Sequence, residues 1–180
     1  ARNSFARRGL LEVETPTLVQ RAVTDPHLES IHVKLVQGKT HFLHTSPEFH
    51  MKRLLAAGAP DIWQLGKVFR GGEAGRHHEP EFTLLEWYRH DFSLEQLIGE
   101  TCELLAVLAR EAELAGALRT ISQGPPVHWT YSALFRQTLG IDPLTARISD
   151  LQDCARSVLG NQVGTTLCTS LGNETTLWLD

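Results

Sequence analysis

The stretch Phe69-Arg-Gly-Gly-Glu-Ala-Gly-Arg-His-His-Glu-Pro-Glu-Phe-Thr-Leu-Leu-Glu-Trp-Tyr-Arg89 decides the fold of this chain. Runs of strand-forming residues lie on both sides of its polar centre, from Ile62 to Phe69 and from Phe82 to Tyr88. A glycine-rich connection between two such runs is typical of an antiparallel hairpin with a long polar tip. We therefore expect residues 62–89 to form a β-ribbon.

Alternation along the outgoing strand sends successive side chains to opposite faces of the ribbon. One face then carries an aromatic ring, a carboxylate and a phenol in line, from Phe82, Glu86 and Tyr88, with Leu84 between them. Such a row suits a flat heterocycle and a cationic or polar substrate better than it suits a dry core. Arg70 ends the incoming strand, where its planar guanidinium can grip a phosphate through two hydrogen bonds.

Two sequence patterns occur together in this chain. Residues 78–88 read His-x-Pro-Glu-Phe-Thr-x-Leu-Glu-Trp-Tyr, and residues 45–54 read Thr-Ser-Pro-Glu-x-x-x-Lys-Arg-Leu. The pair resembles the second signature motif of class II aminoacyl-tRNA synthetases and the segment upstream of it, most of all in the lysyl branch. The ending Glu86-Trp87-Tyr88-Arg89 and the short tip are more similar to a paralogous family, the elongation factor P–(R)-β-lysine ligases. The resemblance extends from about Arg2 to about Leu144.

The resemblance implies an α+β fold, in which a class II synthetase-like antiparallel sheet is flanked by helices. The first signature motif of that fold is a helix followed by a strand that ends in proline, and it builds a dimer interface. It corresponds here to residues 2–16, and the second motif to residues 62–89. The glycine- and arginine-rich third motif is not found, and residues 145–180 have no clear assignment. We therefore expect residues 1–180 to be the N-terminal part of a catalytic domain, incomplete without its third motif.

The implied chemistry is formation of an amino-acid adenylate from ATP. Such a reaction depends on positioning and on charge stabilisation at the α-phosphate, not on a protein nucleophile. The sequence agrees, because no Ser–His–Asp or Cys–His set can be assembled from it. A ligase of this kind needs Mg²⁺, whose acidic ligands we expect in the missing C-terminal part and not in residues 1–180.

The resemblance also implies roles for individual residues. Arg70 would be the catalytic residue that holds the α-phosphate, Phe82 would stack on adenine, and His78 would lie near the terminal phosphates. The amino-acid site would be formed by Ser46, Pro47, Glu48, Glu86 and Tyr88. Within it, Glu48 would meet the amino group of the substrate, and the two strand residues would contact a lysine-like side chain.

The tip of the ribbon departs from the lysyl pattern at two positions. Lysyl enzymes usually carry a glutamate two residues after the motif arginine, where this chain has Gly72 followed by Glu73. We expect Glu73, or backbone groups freed by Gly71 and Gly72, to read the adenine amino group. Glu79 replaces an asparagine, and its carboxylate would repel a triphosphate unless magnesium or an arginine such as Arg76 offsets it. Both positions belong to the expected ATP site, and either change could weaken ATP affinity.

Histidine and cysteine usage does not predict a metal site. His77 and His78 are adjacent, so their side chains point apart, and no third ligand follows at suitable spacing. The three cysteines are far apart and form neither a metal pattern nor a disulfide framework, which fits a reducing cytoplasm.

Composition is that of an ordinary globular protein, with 42% hydrophobic and 21% charged residues in 180. No apolar run approaches the length of a membrane span, and the N-terminus does not read as a signal peptide, so we expect a cytoplasmic protein without membrane contact. A net charge of −4 argues against extensive tRNA binding, because nucleic-acid-binding surfaces are usually basic.

Local patterns predict the remaining elements. A helix over residues 2–8 is followed by a strand over 10–14, and residues 30–44 alternate as a hairpin. Thr45 is expected to cap a helix that runs to about Ala57, with Glu48 completing a capping box. Further helices are expected over residues 93–113, 130–139 and 148–159, the first with its leucines in the core.

Three functions remain open at this point. The first is an ATP-dependent ligase that activates (R)-β-lysine, or another lysine-like amino acid, and passes it to a lysine of elongation factor P. The second is the catalytic domain of a lysine–tRNA ligase. The third is a non-catalytic nucleotide-binding paralogue, which only Gly72 and Glu79 favour. A homodimer through the first motif is expected for the two enzymes.

Overall fold

The structure is a computed structural model that describes residues 1–36, 38–72, 75, 78–111 and 126–160. The chain divides into two compact units, Ala1–Gly124 and Pro125–Asp180. In chain order the elements are α1 (Arg2–Arg7), β1 (Leu11–Glu12), β2 (Leu18–Val19), β3 (His32–Lys34), β4 (Thr40–Leu43), α2 (Glu48–Ala56), β5 (Ile62–Phe69), β6 (Glu81–Tyr88), α3 (Leu94–Glu111), α4 (Tyr131–Leu139) and α5 (Ile148–Leu159). Helices combined with mainly antiparallel strands are the α+β class that the sequence predicts.

The predicted ribbon forms most of one sheet. β5 and β6 pair antiparallel over their whole length, from Ile62 opposite Tyr88 to Phe69 opposite Glu81. β1 pairs parallel to β5 on its other side, which gives the strand order β1-β5-β6. The hairpin is confirmed, and so is a helix followed by a strand at the N-terminus. β1 is shorter than predicted, because its pairing with β5 covers only Leu11 and Glu12.

The core of the first unit lies on one face of this sheet. Its buried side chains are Phe5, Leu10, Trp63 and Leu104, with Leu85 and Trp87 packed against them. Residues directly opposite in an antiparallel pair share a face. Trp63 and Trp87 therefore mark the core face, and Gln64 and Glu86 mark the other. The row of side chains expected to bind substrates thus lies on the face turned away from this core.

A second sheet with the order β2-β4-β3 approaches the end of the ribbon. The β3–β4 hairpin is confirmed, with His32 opposite Phe42. The pairing of β2 with β4 was not predicted, because a two-residue strand has no readable alternation. The backbone N–H of Phe69 donates to the carbonyl of His44 at 3.0 Å, which joins the end of β5 to the residue after β4.

The predicted cap of α2 is wrong. Ser46 Oγ, not Thr45, accepts the backbone N–H of Glu48 at 3.0 Å. Pro47 already has helical backbone angles (φ −75°, ψ −1°), so the free N–H at the helix start comes within reach of Ser46. The Glu48 carboxylate does not complete a capping box; it pairs with Lys52 one turn later.

Ser93 caps α3, but the predicted core stripe of this helix is partly wrong. The Gln96 N–H donates to Ser93 Oγ at 3.3 Å, and the Ser93 N–H donates to Gln96 Oε1 at 2.7 Å. Leu104 is buried, whereas Leu94 and Leu105 are 67% and 44% exposed. The helical period places the leucines on a stripe, but among the described residues no element covers the whole of it.

A buried ionic cluster connects α1, β6 and α3. The Glu100 side chain is only 5% exposed and lies 3.4 Å from Arg89 Nε and 3.6 Å from Arg8 Nε. It also accepts the Trp87 indole N–H at 3.2 Å. Arg89 pairs in addition with Asp61 at 3.0 Å. This cluster fixes the core face of β6 and thereby the direction of its other face.

The second unit contains two helices close to their predicted bounds. Thr130 Oγ1 caps α4 by accepting the Ala133 N–H at 3.1 Å, and Gly140 ends the helix at φ +70°. α5 spans Ile148–Leu159, as predicted. Residues 161–180, together with Glu73, Arg76 and His77, lie outside the described residues.

Candidate active site

The carboxylate of Glu86 is held by two hydroxyl groups. Ser46 Oγ donates to Oε2 at 2.8 Å, and the Tyr88 hydroxyl donates to Oε1 at 2.7 Å. Because Ser46 Oγ also accepts the Glu48 N–H, its own proton is free to point at Glu86. Each carboxylate oxygen keeps a lone pair for a further donor. The result is an oriented, half-buried anion on the face turned away from the core.

Tyr88 is a neutral hydrogen-bond donor in this arrangement. Burial raises the pKa of its hydroxyl, and the hydrogen bond to Glu86 and the charges of Glu86 and Glu48 raise it further. A carboxylate, a phenol and a serine hydroxyl therefore meet at one point, and such a set suits a primary ammonium group.

Arg70 and Phe82 form a second pair further along the ribbon. The guanidinium carbon of Arg70 lies 5.1 Å from the centroid of the Phe82 ring. The Arg70 backbone N–H donates to the Pro80 carbonyl at 3.0 Å, which holds the arginine at the end of the strand pair. The buried Nε atom has no hydrogen-bond partner within the described residues. A guanidinium with a free donor beside an aromatic ring fits an anion attached to a flat base.

The described residues at the tip of the ribbon make fewer side-chain contacts than Glu86 or Arg70. Gly75 and His78 exchange backbone hydrogen bonds of 3.1 and 3.2 Å. His78 and Glu79 are exposed, and no hydrogen bond or ion pair joins their side chains to Arg70 in the part of the chain that the structure describes. Gly72 has φ +71°, a conformation that favours glycine. The expected role of Glu73 cannot be compared with a position, since that residue is outside the described ranges.

Sequence reasoning missed two polar residues near this row. Gln64 lies opposite Glu86 in the β5–β6 register and is 6% exposed, and its Oε1 atom has no partner within the described residues. Pairing the two predicted strands residue by residue would have found it, because it shares a face with Glu86. Glu29 meets the backbone of Gly71, and no local signal predicts that contact.

A cavity of about 590 Å³ adjoins the turn that holds Ser46. It is lined by parts of β2, β4 and α2, and Arg21, His50 and Arg53 are among its polar residues. Burial lowers the pKa of His50, and the nearby Arg53 and His44 lower it further. Ser46 and Glu48 are the only predicted site residues among its lining residues, so the cavity meets the candidate site at this turn alone.

Metal-binding side chains do not cluster in the part of the chain that the structure describes. No three His, Cys, Asp or Glu side chains come together in a metal-binding group within those ranges. No catalytic step is therefore assigned to a metal held by these residues.

Comparison with known proteins identifies the family of this chain. Residues 1–152 match the family described as tRNA synthetases class II (D, K and N). The chain belongs to this family, and the class II resemblance of its motifs is confirmed. None of the described helices is long and apolar enough to cross a membrane.

Three of the similar curated proteins share a name. The chain is 45% identical over 161 residues to the elongation factor P–(R)-β-lysine ligase of Haemophilus influenzae, with 86% of this chain and 46% of the relative covered. The ligases of Histophilus somni and Yersinia pestis share 45% over 160 residues and 44% over 159 residues. Coverage for these two is 86% of this chain and 46% and 45% of the relatives. The chain thus spans about half the length of the curated relatives it matches.

Proposed function

We propose that this chain belongs to an ATP-dependent ligase that activates a lysine-like amino acid, (R)-β-lysine, and transfers it to a lysine side chain of elongation factor P. The observation that carries the proposal is the Glu86 carboxylate, held by Ser46 and Tyr88 and facing away from the core. A fixed anion with spare acceptor capacity suits the side-chain amine of such a substrate. The names of the relatives support the same substrate class.

In the first step, a carboxylate oxygen of the amino acid attacks the α-phosphorus of ATP, and the bond to the pyrophosphate oxygen breaks. Negative charge grows on the phosphoryl oxygens in the transition state. Arg70 would stabilise that charge through its guanidinium, and Phe82 would hold the adenine ring flat. His78 would contact the departing phosphates, and Gly72, Glu73 and Glu79 would complete the ATP site.

The amino-acid site would use the other end of the row. Glu86 and Tyr88 would bind the side-chain ammonium of the substrate, and Glu48 its other amino group. Ser46 and Pro47 would form the wall of the site, and Ser46 would also keep Glu86 oriented. Two separated carboxylates fit a substrate with two amino groups, because each cation then has its own counter-charge.

In the second step, the neutral ε-amine of the acceptor lysine attacks the acyl carbon of the adenylate. The acyl–phosphate bond breaks, AMP leaves, and the new amide nitrogen loses a proton. We propose elongation factor P as the acceptor, Mg²⁺ bound outside the described residues as the metal, a homodimer through the first motif, and the cytoplasm as the location. Residues 1–180 would then form the N-terminal part of the catalytic domain, with residues 145–180 still unassigned.

ATP–pyrophosphate exchange tests the proposal in the whole protein. Exchange should occur with (R)-β-lysine or α-lysine and should be absent with an uncharged isostere such as norleucine. Labelled amino acid should then pass to purified elongation factor P. Efficient charging of tRNA in place of the protein would favour a lysine–tRNA ligase, which the family match supports as the second candidate. Absence of exchange with both lysines would leave the non-catalytic paralogue.

A further inference from the structure

Glu29 pairs with the backbone of Gly71, the residue directly after Arg70. The backbone N–H of Gly71 donates to the Glu29 carbonyl at 2.7 Å, and the two residues form an antiparallel bridge. The Glu29 backbone is therefore fixed one residue away from the arginine that is proposed to hold a phosphate. The position of the Glu29 side chain beside the ribbon is thus set by a backbone hydrogen bond.

The side chain of Glu29 lies in space that glycine leaves open. A Cβ atom at position 71 would be 3.1–3.3 Å from carbon atoms of the Glu29 side chain. A Cβ atom at position 72 would be 2.9 Å from Oε2 of Glu29. Gly71 and Gly72 thus allow a carboxylate to pack against the beginning of the tip.

This carboxylate is available for a ligand. Glu29 is exposed, and no ion pair or side-chain hydrogen bond of it is found within the described residues. An anion beside a triphosphate is repulsive unless a cation offsets it, so a carboxylate at this position suits the base better than the phosphates. The amino group of adenine is a hydrogen-bond donor that a carboxylate accepts, whereas the oxygen at the same position of a 6-oxopurine is an acceptor.

We propose that Glu29 is a specificity-determining residue whose carboxylate accepts a hydrogen bond from the 6-amino group of the purine that stacks on Phe82. This inference rests on the proposed function, because it takes ATP as the substrate of the ribbon. It assigns recognition of the amino group to Glu29 and not to Glu73. It also explains Gly71 and Gly72, because these glycines leave room for the Glu29 side chain.

The test compares nucleotides that differ only at the purine 6-position. Binding of ATP, purine riboside triphosphate (no 6-substituent) and inosine triphosphate is measured by calorimetry in the whole protein and in its Glu29→Gln, Glu29→Ala and Glu95→Ala variants. The wild type should bind ATP about tenfold or more tightly than purine riboside triphosphate, the usual effect of one hydrogen bond to a charged group. Glu29→Ala should bind these two equally, Glu29→Gln should lose most of the discrimination against inosine triphosphate, and Glu95→Ala should behave as wild type.

The outcomes separate this inference from the proposed function. If the Glu29 variants weaken ATP and purine riboside triphosphate to the same extent, or weaken neither, Glu29 does not read the base, whatever the exchange activity. If ATP binds with Glu29-dependent discrimination but no amino acid supports exchange, the inference holds and the proposed function fails. If the wild type binds no nucleotide, both are overturned. Thermal unfolding of each variant detects a purely structural effect, which would change affinity for all three nucleotides alike.

Discussion

The hydroxyl of Ser46 donates a hydrogen bond of 2.8 Å to the carboxylate of Glu86, a residue 40 positions further along the chain. The same hydroxyl oxygen accepts the first free N–H of α2, from Glu48. One side chain therefore fixes both the start of a helix and the direction of the anion at the centre of the candidate site. Its removal should affect stability and substrate affinity separately.

Ser46→Ala is expected to raise KM for the amino acid about tenfold with little change in KM for ATP, because Glu86 loses an orienting donor. It should also lower the free energy of unfolding by about 1 kcal/mol through the lost cap. Ser93→Ala is the matched control, since Ser93 caps α3 in a similar way without touching Glu86. That variant should lose comparable stability and keep its KM values. An unchanged KM for the amino acid in Ser46→Ala would contradict the proposed role of the hydroxyl.

Tyr88→Phe tests the donor on the other side of Glu86. Since burial and Glu86 raise the pKa of Tyr88, the folded protein holds the phenolic proton more tightly than the unfolded chain. The stabilisation is therefore fully present below about pH 10, the ordinary pKa of tyrosine, and is lost as pH rises towards the folded pKa. Urea unfolding should show a constant difference between wild type and Tyr88→Phe from about pH 7 to pH 9 and a shrinking difference above pH 10. A difference that stays constant through pH 10 and above would mean that folding does not raise the pKa of this phenol.

Glu100→Ala should be the most destabilising of these substitutions. Glu100 is 5% exposed and faces Arg89, Arg8 and the indole of Trp87, so its loss leaves buried donors and positive charge without a partner. Breaking a buried pair of this kind costs about 3–5 kcal/mol, and Asp61 should keep the effect at the lower end by its contact with Arg89. Glu103→Ala is the control, because Glu103 pairs with the same Arg8 but is 70% exposed, and it should cost less than about 1 kcal/mol. Equal costs in urea unfolding would show that the cluster is not a buried one.

Gly72→Ala tests the fit of Glu29 against the tip. Gly72 has φ +71°, which costs about 1–2 kcal/mol for a residue with Cβ, and that Cβ would lie 2.9 Å from Oε2 of Glu29. Gly38→Ala has nearly the same φ, +75°, but nothing within 4 Å, so it measures the backbone cost alone. Gly72→Ala should be the more destabilising, and adding Glu29→Ala should remove the excess. If the double variant is no better than Gly72→Ala, the two side chains do not compete for space.

The sequence predicted those parts of the molecule whose signals are local. Alternation from Phe82 to Tyr88 is enough to divide the strand into two faces, and the amphipathic pattern over residues 130–139 is enough to predict α4. The family resemblance was similarly readable because residues 78–88 are contiguous. These features depend on neighbours a few positions apart, where strand and helix geometry fix the arrangement.

The remaining parts depend on contacts between distant segments. Thr45 and Ser46 are both plausible caps by composition, and the choice depends on the backbone angles of Pro47. The exposure of Leu105 depends on what packs against α3 and not on its helical period. The meeting of Glu29 with Gly71 joins two loops, neither of which carries a pattern that points to the other. The residue roles in the candidate site remain predictions for the same reason, since they require the substrates.

Arg70→Ala is expected to abolish ATP–pyrophosphate exchange and to change the free energy of unfolding by less than about 1 kcal/mol, because its main described contact is with the Phe82 ring. Arg70→Lys keeps the charge but loses the planar fork, and the Nε donor that has no partner in the described structure disappears with it. We expect kcat/KM of this variant to fall at least about tenfold, mainly in kcat, since charge at the α-phosphate grows in the transition state. Arg110→Ala, an exposed arginine of α3, controls for net charge and should leave exchange unchanged. Full exchange in Arg70→Ala would show that Arg70 takes no part in the reaction. The hypothesis that this ribbon binds the phosphates of ATP would then be wrong.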